Sequence, residues 1–323
     1  MMSRRRAFAL SCIAACVCAA PALAQTRYPA KPVKLVVPFA PGGGSDTMAR
    51  LVAQKLTEAY GYTIVIDNKP GAGGNLGAEA ALREAADGYT LLVISGSYAG
   101  NAVLNKPAFD PVAAIEPVVQ FTREPVVLVT GPDSPFKSLP QLVAQARQQP
   151  GSVAYGTSGV GGLAHLSTEY FASVAGIRMT HIPYKGTSQS LVDLAGGQIQ
   201  MILAGTTSVS PLVKGGKVRP LAVAAPARLA SMPEVPTFAE LGLGGFRADL
   251  WHGLVAPKGT PAEVVAKLNA DINAVLRSAE MQSRLAADAV AAAGGTPQQF
   301  GEVIRADMER WRGIVKAADI RAN

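Results

Sequence analysis

Three glycine-rich turns are the stretches of this sequence whose residue types and spacing could do chemistry. They lie at residues 41–44, 71–74 and 156–162, each between an apolar run and a helix-like pattern. A helix start carries free backbone N–H groups and the positive end of the helix dipole, and both attract a carboxylate or a phosphate. Glycine lets such a ligand approach the main chain closely. The alternative is that these glycines only form tight turns, but three turns at one sheet edge favour a bound anion.

Nucleotide-binding motifs do not match these turns. The phosphate-binding loop G-x-x-x-x-G-K-[ST] is absent, because Val218 stands where the nearest candidate, Lys217, should be followed by Ser or Thr. The dinucleotide fingerprint G-x-G-x-x-G is broken by GGGSDT after the first apolar run. The ligand of the turns is therefore not expected to be a nucleotide.

A serine hydrolase is a weaker alternative. The stretch GTSGV at 156–160 resembles a nucleophile elbow but lacks the final glycine of G-x-S-x-G. Ser158 would be the nucleophile and His165 the base. The competing interpretation is that Thr157 and Ser158 cap the helix that follows.

Metal and cofactor chemistry find no support in the sequence. The three histidines, His165, His181 and His252, show neither an i, i+4 pair nor an HExxH motif. All three cysteines lie within the first 24 residues, so the chain that follows has no thiolate and no disulfide. We expect no metal and no cofactor.

Residues 1–24 have the pattern of a signal peptide. A cationic start, MMSRRR, precedes an apolar segment and the small-residue cleavage site Ala22-Leu23-Ala24. We expect export to the periplasm by the Sec route, with a twin-arginine route through Arg5 and Arg6 as the alternative. Lipid attachment at Cys16 is a further, less favoured alternative.

The composition is that of a globular protein of two domains. The chain has 323 residues, of which 49% are hydrophobic and 16% charged. Without residues 1–24, which contain three arginines and no acid, 27 basic residues face 23 acidic ones. No run of Lys or Arg remains, so nucleic acid is not an expected partner.

The remaining chain alternates strand and helix patterns. Nearly continuous apolar runs are typical of strands buried on both faces of a parallel sheet. The pattern predicts two α/β lobes, the second inserted into the first, with boundaries near residues 125 and 227. Ligands of such sheets lie beyond the carboxyl ends of the strands, where the glycine turns fall. The clearest predicted strands are VKLVV at 33–37, TIVID at 63–67, TLLVIS at 90–95 and VVLVT at 126–130.

Capping boxes predict where several helices begin. The Ser/Thr-x-x-Glu/Gln pattern marks a helix start, and a proline at the first helical position strengthens it. The pattern occurs at Ser138–Gln141, Thr260–Glu263 and Thr296–Gln299.

Six motifs, in this order, give the chain a family resemblance. It resembles the Bug-type solute receptors of tripartite tricarboxylate transporters over essentially all of its length after the leader. The motifs are PFAPGGGSDTMAR, NKPGAGGN, ADGYTLL, YGTSGVGGLAHL, HIPYKGTSQSLVDLAGGQI and WHGLVAPKGTP.

The resemblance implies a two-lobed periplasmic binding protein of type II that closes like a Venus flytrap, each lobe a mostly parallel sheet flanked by helices. Lobe 1 would comprise residues 25–124 and 228–323, and lobe 2 residues 125–227. The protein would be a monomer without enzymatic activity. It would capture a di- or tricarboxylate or an aromatic acid and deliver it to membrane permease subunits.

The family holds its carboxylate mainly through main-chain amides, and the resemblance transfers this role to thirteen residues. Three of them have a structural alternative: Asp46 would stabilise its helix start, Phe39 would pack in the core, and Tyr184 would belong to a turn. The implied ligand-binding residues are Phe39, Gly43, Gly44, Ser45, Asp46, Gly74, Asn75 and Ser97 in lobe 1, and Thr157, Ser158, Gly159, His165 and Tyr184 in lobe 2.

One departure from the family bears on the ligand. Gln200 stands where relatives commonly have an aspartate, and the loop 204–207 also lacks an acid. A ligand ammonium would lack that counter-charge, so the sequence favours a carboxylate without an amino group, unless Asp193 or Asp46 compensates. Besides the hydrolase, a ligand-sensing module for a membrane kinase stays open as an alternative.

Overall fold

The computed structural model describes residues 28–321. The predicted leader, with its cleavage site, its arginines and Cys16, lies outside the described residues. The helices and strands all belong to the unit Lys31–Asn323. The strands are β1 Val33–Val37, β2 Ile64–Asn68, β3 Thr90–Ser95, β4 Ile115–Thr130, β5 Ala154–Thr157, β6 Thr180–Pro183, β7 Met201–Gly205, β8 Arg219–Ala224, β9 Asp249–Pro257 and β10 Ala291–Gly294. The helices are α1 Gly44–Tyr60, α2 Asn75–Leu82, α3 Gly96–Leu104, α4 Leu139–Gln148, α5 Leu163–Ala175, α6 Thr187–Ala195, α7 Thr206–Lys214, α8 Ala262–Arg277, α9 Ala279–Ala286 and α10 Pro297–Ala317.

The strands form one curled, mixed sheet in which the same arrangement occurs twice. The strand order is β2-β1-β3-β9-β4-β7-β5-β6, and β8 and β10 pair with β4 outside this path. β1 runs parallel to β2 and β3, and β5 runs parallel to β6 and β7. The order 2-1-3 of the first trio is thus repeated as 6-5-7. Each trio has its carboxyl ends at one edge, where the following helices begin.

Strand β4 joins the two halves of the sheet. From Ile115 to Pro125 it pairs with β9, and from Val126 to Thr130 it pairs with β7 and β8. The sequence predicted only its last five residues, VVLVT. Prolines at 117 and 125 conceal the first part of the strand, since proline is unusual inside a sheet. The pairing with β9 is irregular between Pro117 and Val119, beside the first of these prolines.

The other sequence predictions of strands and helix starts have mixed outcomes. The strands at 33–37 and 90–95 have the predicted bounds, and β2 is shifted by one residue from the predicted 63–67. The capping box of Thr296 with Gln299 is confirmed by both reciprocal hydrogen bonds. The box predicted at Ser138 is wrong, because the Ser138 side chain makes no cap bond and Gln141 accepts from the Lys137 N–H instead. The box predicted at Thr260 is wrong as well. Helix α8 has Pro261 at its N-cap, and the Thr260 hydroxyl donates to the Pro257 carbonyl instead.

The core is built from the apolar faces of the helices and strands. In α1, Met48, Val52 and Leu56 are buried against the sheet. Trp251 of β9 is 1% exposed and meets the Phe300 ring edge-on at a centroid distance of 5.6 Å. Its indole N–H donates to Asp307 at 3.0 Å, so the polar atom of this buried ring is satisfied. Among the helices of residues 28–321, none combines the length and the apolar character that a membrane span requires.

Replacing either of two glycines by alanine should change the free energy of unfolding, and the two changes should have opposite signs. An added Cβ at Gly253, in β9, would lie 2.3 Å from Phe300 Cζ and 2.8 Å from the Val119 carbonyl oxygen. At the exposed Gly313, inside α10, it would meet nothing within 4 Å. We expect Gly253→Ala to lower the free energy of unfolding by about 1 to 3 kcal/mol through overpacking. Gly313→Ala should raise it by roughly 0.5 to 1 kcal/mol through helix propensity. Urea unfolding of both variants measures this, and equal effects would contradict the described packing.

Candidate functional site

A small cavity, partly open to solvent, lies beyond the carboxyl ends of β1, β3, β5 and β7. Its volume is about 50 Å³, room for a few water-sized groups. Neither an acidic side chain nor a Lys or Arg is present among the described residues that line it. The lining consists of Phe39, Gly43, Gly44, Ser45, Ser95, Ser97, Val126, Ser158, Leu163, Ala164, Ser167, Thr187, Leu203, Ala204, Gly205, Ser208, Leu250 and His252.

Five helix starts converge on this cavity. Residues of the first turn of each helix line it: Gly44 in α1, Ser97 in α3, Leu163 in α5, Thr187 in α6 and Ser208 in α7. The first turn of a helix has N–H groups without intrahelical partners, and its dipole favours negative charge. The cavity is therefore an environment for an anion although no cationic side chain lines it.

Serine hydroxyls add a second set of polar groups. Ser97 Oγ accepts a hydrogen bond from the Leu163 N–H at 3.1 Å and so ties the start of α5 to α3. Ser167 Oγ is buried and has no hydrogen-bond partner among the described residues. Ser167 lines the cavity, and a buried polar atom usually needs a partner. A ligand oxygen would supply one.

The structure brings six of the thirteen predicted site residues to the cavity. Three more, Asn75, Gly159 and Tyr184, line an adjoining open pocket of about 760 Å³, which Ser158 also reaches. The remaining four, Asp46, Gly74, Thr157 and His165, line neither space. The six at the cavity are Phe39, Gly43, Gly44, Ser45, Ser97 and Ser158.

Asp46 orders the first glycine turn. Its carboxylate accepts hydrogen bonds from the Gly42 N–H at 2.9 Å, from Arg50 Nε at 2.9 Å and from Asn68 Nδ2 at 3.0 Å. Burial alone would raise the pKa of Asp46, but these hydrogen bonds, with Arg50 foremost, hold it below the usual value. The charged side chain fixes the turn that presents Gly43 and Gly44 to the cavity.

A pair of stacked histidines supports the glycine turn at 156–162 from behind. The rings of His165 and His181 stack at a centroid distance of 4.2 Å. His181 Nε2 lies 2.6 Å from Thr157 Oγ1, and His165 Nδ1 accepts from the Gly161 N–H at 3.2 Å. Burial lowers the pKa of His165 to about 4 and that of His181 to about 3. Both rings are therefore neutral near pH 7.

Ser158 and His165 do not form a nucleophile–base pair. No hydrogen bond between them is present among residues 28–321, and His165 Nδ1 is engaged by the Gly161 amide. A base with a pKa near 4 is also poorly matched to proton abstraction at neutral pH. The arrangement lends no support to the serine hydrolase alternative.

Two glycine turns meet at the rim of the site. An added Cβ at Gly159 would lie 2.8 Å from Gly73 Cα, and one at Gly73 would lie 2.5 Å from the Val160 carbonyl oxygen. Both glycines have positive φ, +128° at Gly159 and +64° at Gly73. Asn101 donates to the Gly73 carbonyl, and Asn105 donates to the Val160 carbonyl at 2.9 Å. The turns at 71–74 and 156–162 are thus held together by backbone packing that only glycine permits.

Several residues at the site escaped the sequence prediction. Ser95, Ser167, Thr187, Ser208 and His252 line the cavity but were not among the predicted site residues, although Thr187 and His252 lie within two of the family motifs. For the three serines the only signal was their position just after an apolar run or on one helical face. A further omission is Glu124, which lies behind His252.

Gln200 lies away from the cavity. Its side-chain oxygen accepts from the Ala154 N–H at 2.8 Å, so it extends the pairing of β5 with β7. The difference at this position does not itself change the cavity lining. Nor do the described residues contain a group of three or more His, Cys, Asp or Glu arranged to hold a metal ion.

Comparisons with known proteins point to one family. A family model described as "Tripartite tricarboxylate transporter family receptor" matches residues 48–320. Protein BugT of Bordetella pertussis is 38% identical over 301 residues, which cover 92% of each chain.

Solved structures share the fold over nearly the whole chain. The structure of Rpa4515 from R. palustris with adipate is 36% identical, has a TM-score of 0.87 and covers 91% of this chain and 99% of its own. The structure of MatC (Rpa3494) from Rhodopseudomonas palustris with bound malate is 31% identical, has a TM-score of 0.85 and covers 89% of this chain and 100% of its own.

The buried histidines predict a loss of stability in acid. The folded-state pKa of His165 lies below the unfolded value of 6.5, so its contribution is present above pH 6.5 and is lost as the pH falls towards 4. The full shift corresponds to roughly 3 kcal/mol. We expect the free energy of unfolding to fall between pH 6.5 and 5, with a smaller slope in His165→Gln. Urea unfolding at several pH values measures both slopes, and equal slopes would show that His165 does not titrate as described.

Proposed function

Because the chain belongs to the tripartite tricarboxylate transporter receptor family, we propose that its cavity captures a small carboxylate for delivery to the membrane permease of such a transporter. The observation that carries this proposal is the convergence of five helix starts on one small cavity. Backbone N–H groups there can hold a carboxylate without a cationic side chain. The serine hydroxyls at the cavity would accept or donate the remaining hydrogen bonds.

The lining favours a carboxylate without an amino group. A ligand ammonium would need an acidic partner, and no Asp or Glu is present among the described lining residues. The solved relatives with adipate and malate hold dicarboxylates of this kind. We therefore expect a di- or tricarboxylate or an aromatic acid, bound by Gly43, Gly44, Ser45, Ser97 and Ser158. The other predicted contacts, in the adjoining pocket, would serve a longer ligand.

Two lobes, comprising residues 25–124 with 228–323 and residues 125–227, would close around the ligand. Contacts across the proposed boundary support a closed arrangement of the two lobes. The Ala40 N–H donates to the Lys185 carbonyl at 3.1 Å, and Ser188 Oγ donates to the Pro41 carbonyl at 2.8 Å. Such contacts are typical of the closed form of a hinged binding protein. The chain would cross between the lobes within β4 and again after β8, and these two crossings would carry the hinge.

The cellular setting follows from the same family. Relatives are periplasmic solute receptors rather than enzymes, and we propose that this chain acts in the periplasm as a monomer, exported through residues 1–24. Neither the relatives nor the geometry at Ser158 supports the hydrolase alternative. A kinase-sensing role finds no support in the relatives either.

A ligand panel tests the proposed function. We expect the melting temperature of residues 25–323 to rise with one class of di- or tricarboxylate or aromatic acid and to stay unchanged with amino acids. A ligand at a hundred times its Kd adds about 2.7 kcal/mol. For a chain of this size the melting temperature should rise by roughly 5 °C or more. A flat response to every acid, with protein refolded to remove carried-over ligand, would contradict the proposal.

Gly44 tests whether the backbone holds the ligand. A Cβ at this position would lie 3.1 Å from Ser208 Oγ and 3.5 Å from the His252 ring, inside the cavity. We expect Gly44→Ala to weaken binding at least about ten-fold, or about 1.4 kcal/mol, by blocking approach to the start of α1. Isothermal titration with the acid found in the panel measures the change. The distant Gly313→Ala is the control and should keep the native Kd; an unchanged Kd in both variants would place the ligand elsewhere.

A further inference from the structure

A buried acid and a buried histidine lie together where β4 and β9 run side by side. Glu124 and His252 are each 1% exposed. Thr122 of β4 is paired with His252 of β9, and Glu124 is paired with the neighbouring Leu250. The two side chains therefore lie at the junction between the halves of the sheet, directly behind the cavity.

The two oxygens of Glu124 have different surroundings. Oε2 accepts from Thr206 Oγ1 at 2.9 Å and from the Thr207 N–H at 2.5 Å, so it caps the start of α7. Oε1 is buried without a hydrogen-bond partner among the described residues and lies 3.5 Å from His252 Nδ1. The loop 204–207 has no acid of its own, and Glu124 supplies one from a strand eighty residues earlier.

His252 connects this carboxyl group to the cavity. Its Nδ1 faces Glu124 Oε1 and lies 3.4 Å from Thr122 Oγ1. The opposite ring edge faces the cavity, because Cε1 and Nε2 lie 3.5 Å from the position of a Cβ on Gly44. Gly44 and His252 both line the cavity. A ligand carboxylate at the start of α1 would thus lie on one side of the imidazole, with Glu124 on the other.

We propose that Glu124 and His252 act as a proton-accepting pair, and that a carboxylate binds in this cavity with uptake of one proton from solvent by the pair. This inference rests on the proposed function. The proton converts the neutral imidazole of His252 to imidazolium, whose Nδ1–H faces Glu124 and whose Nε2–H faces the ligand. Hydrogen bonds from a charged donor to a carboxylate are about twice as strong as neutral ones. Without the proton, the ionised Glu124 would repel the ligand across an uncharged ring.

Among the charged groups in this region, Glu124 and His252 are the pair whose protonation can change when the ligand binds. Burial raises the pKa of Glu124 to about 7 and lowers that of His252 to about 4. Asp288 faces Glu124 from the segment after α9 and also raises its pKa. The other nearby charges are already paired, Lys214 and Arg284 with Asp288, and Arg123 with Asp249. Above pH 7 the pair therefore lacks a proton that a bound carboxylate would recruit.

The uptake should depend on pH in a defined way. Above pH 7, where Glu124 is ionised, binding should take one proton from solvent, and the Kd should rise by up to about ten-fold per pH unit. Below about pH 6 Glu124 already holds a proton, which passes to His252 on binding, so the uptake should vanish. Adipate and malate are suitable probes because their carboxyl groups titrate below this range.

Isothermal titration of residues 25–323 with adipate and malate tests the inference. Titrations at pH 8 in Hepes and in Tris, buffers with different ionisation enthalpies, give the number of protons taken up. We expect about one in the native protein and close to none in Glu124→Gln, whose Kd should no longer change between pH 7 and 8. His252→Gln should lose the uptake as well and serves in the same role if Glu124→Gln does not fold.

A matched control separates this pair from buried acids in general. Asp307 is also buried, and burial raises its pKa, but it bonds to Trp251 and Arg310 and does not line the cavity. Asp307→Asn should keep the native uptake of one proton. Binding without proton uptake in the native protein, or unchanged uptake in Glu124→Gln, would overturn the inference and leave the proposed function intact. If neither probe nor any other acid of the panel binds, the proposed function itself is overturned, and this inference with it.

Discussion

Free N–H groups at helix starts are the constraint on which this structure depends. A buried N–H without a partner costs free energy, and here five helices begin at one cavity. The sheet order makes this convergence unavoidable, because two trios of parallel strands present their carboxyl ends to each other. An anion is the partner that satisfies such a surface without adding a cationic side chain. The absence of lining Lys or Arg among the described residues thus follows from the fold.

The glycine turns at the cavity are held in place by side chains that do not line the cavity themselves. Asp46 fixes the first glycine turn through three hydrogen bonds, and His165 and His181 support the turn at 156–162. These side chains contact the backbone of the turns and neighbouring side chains, and they do not line the cavity. Several residues transferred from the family by motif, such as Thr157 and His165, are of this kind. A sequence motif covers a whole turn. It does not distinguish the residues that line the cavity from those that hold the turn in place.

Patterns within short stretches of the sequence predicted the strands and turns that those stretches form. Continuous apolar runs gave the bounds of β1 and β3, and glycine spacing located three turns of the site. The sequence did not predict the full length of β4. Pro117 and Pro125 interrupt its apolar pattern, while pairing with β9 keeps the strand extended. Glu124 and His252 also escaped, since they lie 128 positions apart in the printed sequence and come together only when β4 and β9 pair. Glu124 lies in none of the family motifs, and the motif WHGLVAPKGTP that contains His252 does not single out its side chain.

The continuity of β4 has a consequence for how the protein folds. Its first eleven residues belong to one half of the sheet and its last five to the other, without a loop between them. A cut at residue 125 would leave residues 126–130 to pair with β7 and β8, but it would break the strand that continues from them into the other half. Each half needs the same strand to be extended before its own pairing is complete. The two halves are thus expected to fold cooperatively, as one unit rather than as two independent domains.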